Sequence, residues 1–186
     1  MIHDPTLLEQ LSAFATERFD GEAFRATRAS LDPLAPSTSG GRWAPVGDAR
    51  HQIPILYTSL EREGALAETS YHWGQLTPRP SKVAVIHRIR VTTGRTLRLL
   101  RADLERLGVN MAEFAGRDHR RTQEIGAAVA FLDRDGLIVP SARWHCDNLV
   151  IFTENHELSN DLAVTESEEV DWQTWAYEAG LLRDDD

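Results

Sequence analysis

Apolar positions along the chain switch repeatedly between helical and strand spacing. Behind Asp4 and Pro5, which suit the cap and first position of a helix, Leu7, Leu8, Leu11, Phe14 and Ala15 fall on one helical face. Residues 24–28 read as a short strand. Residues 31–41 are rich in Pro, Ser, Thr and Gly and read as a loop. Pro54 precedes a strand over 55–58, and Ser59 is placed to cap the helix that follows. Glu61 and Glu63 sit in that helix's first turn, where the dipole favours acids, and Glu68 lies well inside it. Residues 82–90 alternate as a strand does, and 96–100 suggest another. Ile125, Ala128, Val129 and Leu132 form a helical stripe within 118–132. Asp133 to Gly136 make a turn, strands follow at 137–139 and 148–152, and 170–182 looks helical.

Short strands mixed with separated helices, without regular alternation, indicate a single α+β domain rather than a doubly wound sheet. Residues 1–21 read as an N-terminal helical extension, 22–154 as the core, and 155–186 as an acidic C-terminal extension packed on the same domain. The single cysteine, Cys146, excludes an internal disulfide and fits a reducing compartment. No apolar run approaches membrane-spanning length, and no basic-then-apolar leader opens the chain. The expectation is a soluble cytoplasmic protein without membrane contact.

The net charge of −9 argues against direct nucleic-acid binding. The charge is uneven: residues 79–121 hold eleven basic and four acidic residues, and the segment after Glu154 is acidic, ending in Asp184-Asp185-Asp186. Such a basic middle either attracts an anionic ligand or is a solvated face in a chain that favours Arg, Lys82 being its single lysine.

Neither a dinucleotide-binding glycine fingerprint nor a phosphate loop is present. Metal-ligand spacings are absent too, and Asp133 and Asp135 before Gly136 lack the rest of a calcium loop, so no metal is expected. His145-Cys146-Asp147 places a thiol beside an imidazole, but nucleophile and base usually meet through the fold rather than as neighbours, and a lone cysteine is more often a packed small hydrophobe.

Four pieces stand in order in the first third: Ala23-Phe24-Arg25, Gly40-Gly41-Arg42-Trp43-Ala44-Pro45, Ile55-Leu56-Tyr57-Thr58-Ser59 and Ala65-Leu66-Ala67-Glu68. Later come Asp135-Gly136-Leu137-Ile138-Val139-Pro140-Ser141-Ala142-Arg143 and Asn148-Leu149-Val150-Ile151-Phe152. This ordered set resembles the RES domain, a family named for its Arg, Glu and Ser, from about Phe24 to Phe152. The resemblance implies a toxin that destroys NAD by cleaving its nicotinamide–ribose bond. It implies inorganic phosphate as co-substrate, with ADP-ribose phosphate and nicotinamide as products. NAD is then a substrate, and no resident cofactor is implied.

Such a reaction builds positive charge on the sugar and needs a carboxylate near the ribose and cations for the pyrophosphate. Arg25 and Arg42 match the family's early arginines, and the planar guanidinium fork suits phosphate. Gly40-Gly41 leaves little bulk before Arg42 to block a ligand. Tyr57 would order the nicotinamide-ribose end. Glu68 matches the family's acid, and its apolar neighbours suggest a semi-buried carboxylate. Ser141, at a strand end after Pro140, matches the family's serine and would orient Glu68 or the substrate. Asn148 also matches, as a substrate-binding residue. Trp43 either walls the pocket or belongs to the core.

The implied partner is an Xre-type helix-turn-helix antitoxin, with a homo-oligomer inside that complex. The Arg, Ser and Glu selection is similar to that of ADP-ribosyltransferase toxins, which implies a mostly antiparallel split sheet with flanking helices. Two alternatives stay open: a protein ADP-ribosyltransferase using the same NAD site, and a catalytically silent module that binds a nucleotide or partner.

Overall fold

The structure is a computed structural model that describes residues 3–47 and 52–182. Asp184-Asp185-Asp186, the end of the acidic extension, lies outside the described residues. Helix α1 (Pro5–Ser12) starts as expected: the Asp4 carboxylate accepts from the Thr6 amide at 2.9 Å, and Leu7 and Leu11 are buried.

Strand β1 (Thr16–Thr27) begins well before residue 24 and takes in positions 16–21, which the sequence assigns to the N-terminal extension. Its first half is largely exposed and shows no apolar alternation. It is held by antiparallel pairing with β3 (Val83–Arg98), from Thr16 opposite Leu97 to Thr27 opposite Val85. The two strands expected at 82–90 and 96–100 are this one sixteen-residue strand. Thr92, Thr93 and Gly94 interrupt the apolar pattern, yet both threonines are buried, and the Gly94 and Arg95 amides donate to the buried Asp135 carboxylate at 2.7 and 2.8 Å.

Strand β2 (Ile55–Ser59) runs into helix α2 (Arg62–Gly74). Ser59 does not cap that helix in the expected way. It ends β2, paired opposite Asn148 of β5 (Asp147–Phe152), and Glu61 is the cap residue, without a side-chain bond. Helix α3 (Arg101–Arg106) and a 3₁₀ turn (Met111–Glu113) lead to α4 (Arg120–Phe131), which carries the predicted stripe, and then to β4 (Gly136–Pro140).

Strand β6 (Leu162–Asp171) lies within the acidic C-terminal extension, and the helix expected over 170–182 starts only after it, as α5 (Trp172–Glu178), capped by Asp171 onto the Thr174 amide. β6 pairs with β3, so the acidic segment meets the basic middle. Arg88 contacts Glu166 at 3.2 Å, and Arg62 of α2 contacts Glu168 at 2.9 Å. These pairs are solvated, each worth roughly 0–1 kcal/mol. Much of the basic excess is therefore neutralised within the sheet rather than offered to a ligand.

The sheet order is β1-β2-β5-β4-β3-β6, and β1 also pairs with β3. Five strands thus close into a ring, with β6 attached to β3 outside it. Every pairing is antiparallel except β3–β4. The result is one α+β domain with a closed, mixed and mostly antiparallel sheet. Alternate side chains go to opposite faces. Ala23, Leu56, Ile89, Val91, Ile138, Leu149 and Ile151, from all five ring strands, form one apolar cluster. Ile55, Leu137, Val139, Val150 and Phe152 face the other way and pack with α1, α3 and α4. The ring is weakest where β1 meets β2, at the single pair Phe24–Ser59. Among the described residues no helix is long and apolar enough to cross a membrane.

Candidate active site

A cavity of about 530 Å³ opens beside that single β1–β2 join, within the size range of small-molecule sites. β1 contributes Phe24 and Arg25, the following loop Gly40 to Trp43, β2 Tyr57 to Ser59, α2 Glu68, Tyr71 and His72, and the far wall His119, Arg143 and Asn148.

Glu68 is the organising group. Ser141 Oγ donates to its Oε1 at 2.7 Å, and Asn148 Nδ2 donates to the same oxygen at 2.9 Å. Ser141 is buried, and its hydroxyl oxygen accepts from the amides of Arg143 and Trp144, both at 3.1 Å. With its acceptor side so occupied, the hydroxyl proton points at the carboxylate. Asn148 Oδ1 is buried, with no hydrogen-bond partner among the described residues. Glu68, Ser141 and Asn148 reach one point because α2 packs across the ring while β4 ends and β5 begins beside it.

Arg42 also lines the cavity. Its Nη1 donates to the Phe114 carbonyl at 2.5 Å, and its guanidinium lies 4.9 Å from the centre of the Phe114 ring. Burial lowers its pKa, while the charge of Glu68 opposes that shift. Arg25 is placed differently: its Nη1 donates to the carbonyls of Pro33 and Ala35 at 3.1 and 2.9 Å, so it fastens the Pro-rich loop as well as lining the cavity.

Tyr57 is half in the core. Its hydroxyl accepts from the Trp43 amide at 3.2 Å, and burial pushes its pKa up to about 12, so the phenol stays neutral. The residue that needs a bare Cα nearby is Gly41, since a Cβ there would stand 2.6 Å from the Tyr57 hydroxyl. That close approach, rather than room for a ligand, explains the second glycine; the first, Gly40, has φ of +81°. Trp43 is buried in the main core cluster and only borders the cavity.

Sequence reasoning passed over Tyr71, His72, His119 and Arg143. Tyr71 and His72 follow Glu68 by three and four positions, the spacing of one helix face. Arg143 stands two residues past Ser141. His119 carries no local signal and arrives through the packing of α4. Burial lowers the pKa of both histidines. Cys146 Sγ lies 3.3 Å from Ser59 Oγ, and burial pushes its thiol pKa up, which disfavours a thiolate.

The sequence profile of the RES domain matches residues 16–173. In fold, the chain is similar to a protein in the crystal structure of the M. tuberculosis MbcT-MbcA toxin-antitoxin complex, with a TM-score of 0.79 and 22% sequence identity, covering 94% of this chain and 97% of that one. No curated protein matches the chain. The matched span runs from the first residue of β1 to the start of α5 and holds every residue that meets around Glu68, and on that ground the chain belongs to the RES domain family.

Proposed function

We propose that this protein is a toxin that destroys NAD, cleaving the nicotinamide–ribose bond by phosphorolysis. The observation that carries the reading is the pair of donors from Ser141 and Asn148 on Glu68 Oε1, at the wall of a cavity whose other charged lining residues are all cationic or imidazole. A carboxylate held on one oxygen offers the other to a ribose and stabilises positive charge as it develops on the sugar. Arg42 and Arg25 hold the pyrophosphate. Tyr57, a neutral phenol, orders the nicotinamide-ribose end, and the unpartnered Asn148 Oδ1 accepts from a substrate hydroxyl or amide. The structural neighbour comes from a toxin-antitoxin complex. In keeping with that, the restraint on this protein is an antitoxin of the Xre helix-turn-helix type, in whose complex the toxin is a homo-oligomer.

The direct test is to incubate purified protein with NAD, with and without phosphate, and identify products by mass. ADP-ribose phosphate and nicotinamide support the reading; intact NAD under both conditions removes it. In cells, expression of the chain alone stops growth and lowers NAD, whereas a protein benign at full expression is not a toxin.

Two substitutions sharpen the assignment. Arg42→Lys keeps charge but loses the fork that bonds the Phe114 carbonyl while lying over its ring, and NAD binding weakens by roughly 1.5–3 kcal/mol. Calorimetric titration reads this, and unchanged affinity would return Arg42 to a purely structural role. Cys146→Ser leaves turnover intact, because the thiol is not set up to ionise. A folded but inactive serine variant would instead point to thiol chemistry.

A further inference from the structure

Four arginines line the cavity, Arg25, Arg42, Arg117 and Arg143, against one carboxylate, Glu68. Three are already tied to neutral acceptors: Arg25 and Arg42 to backbone carbonyls, and Arg117 to the Gln75 side chain at 3.1 Å. Arg143 differs. Among the described residues its guanidinium has neither an ion pair nor a hydrogen bond, and it lies 3.2 Å from the centre of the Tyr71 ring. Stacking on an aromatic face fixes the guanidinium while its N–H donors, which lie in the guanidinium plane, stay available at the edge.

The placement is tied to Glu68 from two sides. Ser141 Oγ, which donates to Glu68, also accepts from the Arg143 amide. Tyr71, the plate under Arg143, stands one helical turn past Glu68, with His72 beside it on α2. His119, whose Nε2 meets the Gly116 carbonyl at 3.1 Å, lines the same cavity. The charges of Glu68, Arg143 and Arg42 all act on His72, and those of Arg42 and Arg143 on His119, as expected of one cluster. Arg25 stands apart on β1, with Asp32 and His87 as its charged neighbours.

We infer that Arg143, His72 and His119 form an anion subsite beside Glu68 that receives inorganic phosphate as the second reactant. The inference rests on the NAD-cleaving function proposed above and gives the acceptor a place in this chain. A phosphate oxygen forms a bond to the anomeric carbon of the nicotinamide ribose. The bond from that carbon to the pyridinium nitrogen breaks, its electron pair stays on the ring, and neutral nicotinamide leaves. The proton of the hydrogen phosphate passes to solvent, and ADP-ribose phosphate remains. Donors at the edge of a stacked guanidinium suit this step, since they can bond two phosphate oxygens and leave a third for attack.

Titrating the protein with inorganic phosphate alone, followed by calorimetry, tests the subsite without requiring turnover. The wild type binds phosphate. Arg143→Gln weakens that binding about tenfold or more, as expected for losing a charge-assisted contact. His72→Gln weakens it too and serves if the first variant fails to fold. Arg90→Gln, at an exposed arginine paired with Asp20 and outside the cavity lining, changes it by less than about twofold. In turnover assays, Arg143→Gln raises the KM for phosphate and leaves that for NAD unchanged. Absent phosphate binding by the wild type, or equal binding by folded Arg143→Gln, overturns the subsite. NAD consumed at one rate with or without phosphate overturns its role as second reactant while the NAD reading stands. Phosphate binding lost in Arg143→Gln, with no NAD consumed under any condition, sinks the NAD reading and keeps only an anion site.

Discussion

Glu68→Gln yields a folded protein whose turnover of NAD is about 100-fold or more below that of the wild type. Glutamine has the size of glutamate and keeps one side-chain oxygen able to accept from both Ser141 Oγ and Asn148 Nδ2, the two donors that now meet on Oε1. Packing and stability therefore change little. What disappears is the negative charge that, in the proposed reaction, faces a sugar becoming positive as its bond to nicotinamide stretches. The check has two arms, a thermal midpoint and a turnover rate. A stable variant cleaving NAD at the wild-type rate would show that Glu68 does not supply that charge.

Gly126→Ala, in the middle of α4, is expected to cost roughly 3 kcal/mol or more of stability, at the upper end of overpacking effects. Helix propensity alone predicts the opposite sign, since alanine is favoured over glycine in a helix interior by roughly 0.5–1 kcal/mol. Sterics decide the matter. A Cβ at Gly126 would stand 1.8 Å from the Trp43 carbonyl oxygen and 2.7 Å from its carbon. Both obstacles are backbone, so no rotamer change relieves them, and α4 must withdraw from the segment carrying Arg42 and Trp43. Urea unfolding reads the sign directly: a midpoint equal to or above wild type would mean that this helix does not sit so tightly on the loop.

The parts of the fold that were legible in the sequence are those with apolar periodicity. The stripe from Ile125 to Val129, the Asp4–Pro5 helix start and the strands at 55–59 and 147–152 all carried local signals. What was hidden was held by long-range pairing or by charge. The first half of β1 is exposed and polar and owes its form to β3. β6 reads as an acidic tail because its Glu side chains face the arginines of a strand some eighty residues earlier. The join of β3 across Gly94 depends on Asp135, forty-one residues away. In the site, Glu68, Ser141 and Asn148 were recognisable as an ordered set, and the structure brings them within hydrogen-bond reach of one another. Tyr71 and His72 followed from the helix that holds Glu68 and could have been read at its spacing. His119 could not, because only the folding of α4 against the loop brings it to the cavity.

The same long spacing gives the site a clock. Glu68 is made 73 residues before Ser141 and 80 before Asn148. At roughly 5–20 residues per second, a ribosome needs roughly 4–16 s to pass from the carboxylate to its second donor. During that interval the emerging chain holds the acid without the groups that orient it, and the ring still lacks β4 and β5. Every message truncated before Ser141 then encodes a product that cannot assemble the site, however much of it is made. For a protein whose proposed reaction injures the cell that makes it, danger begins only once the ribosome has passed Asn148.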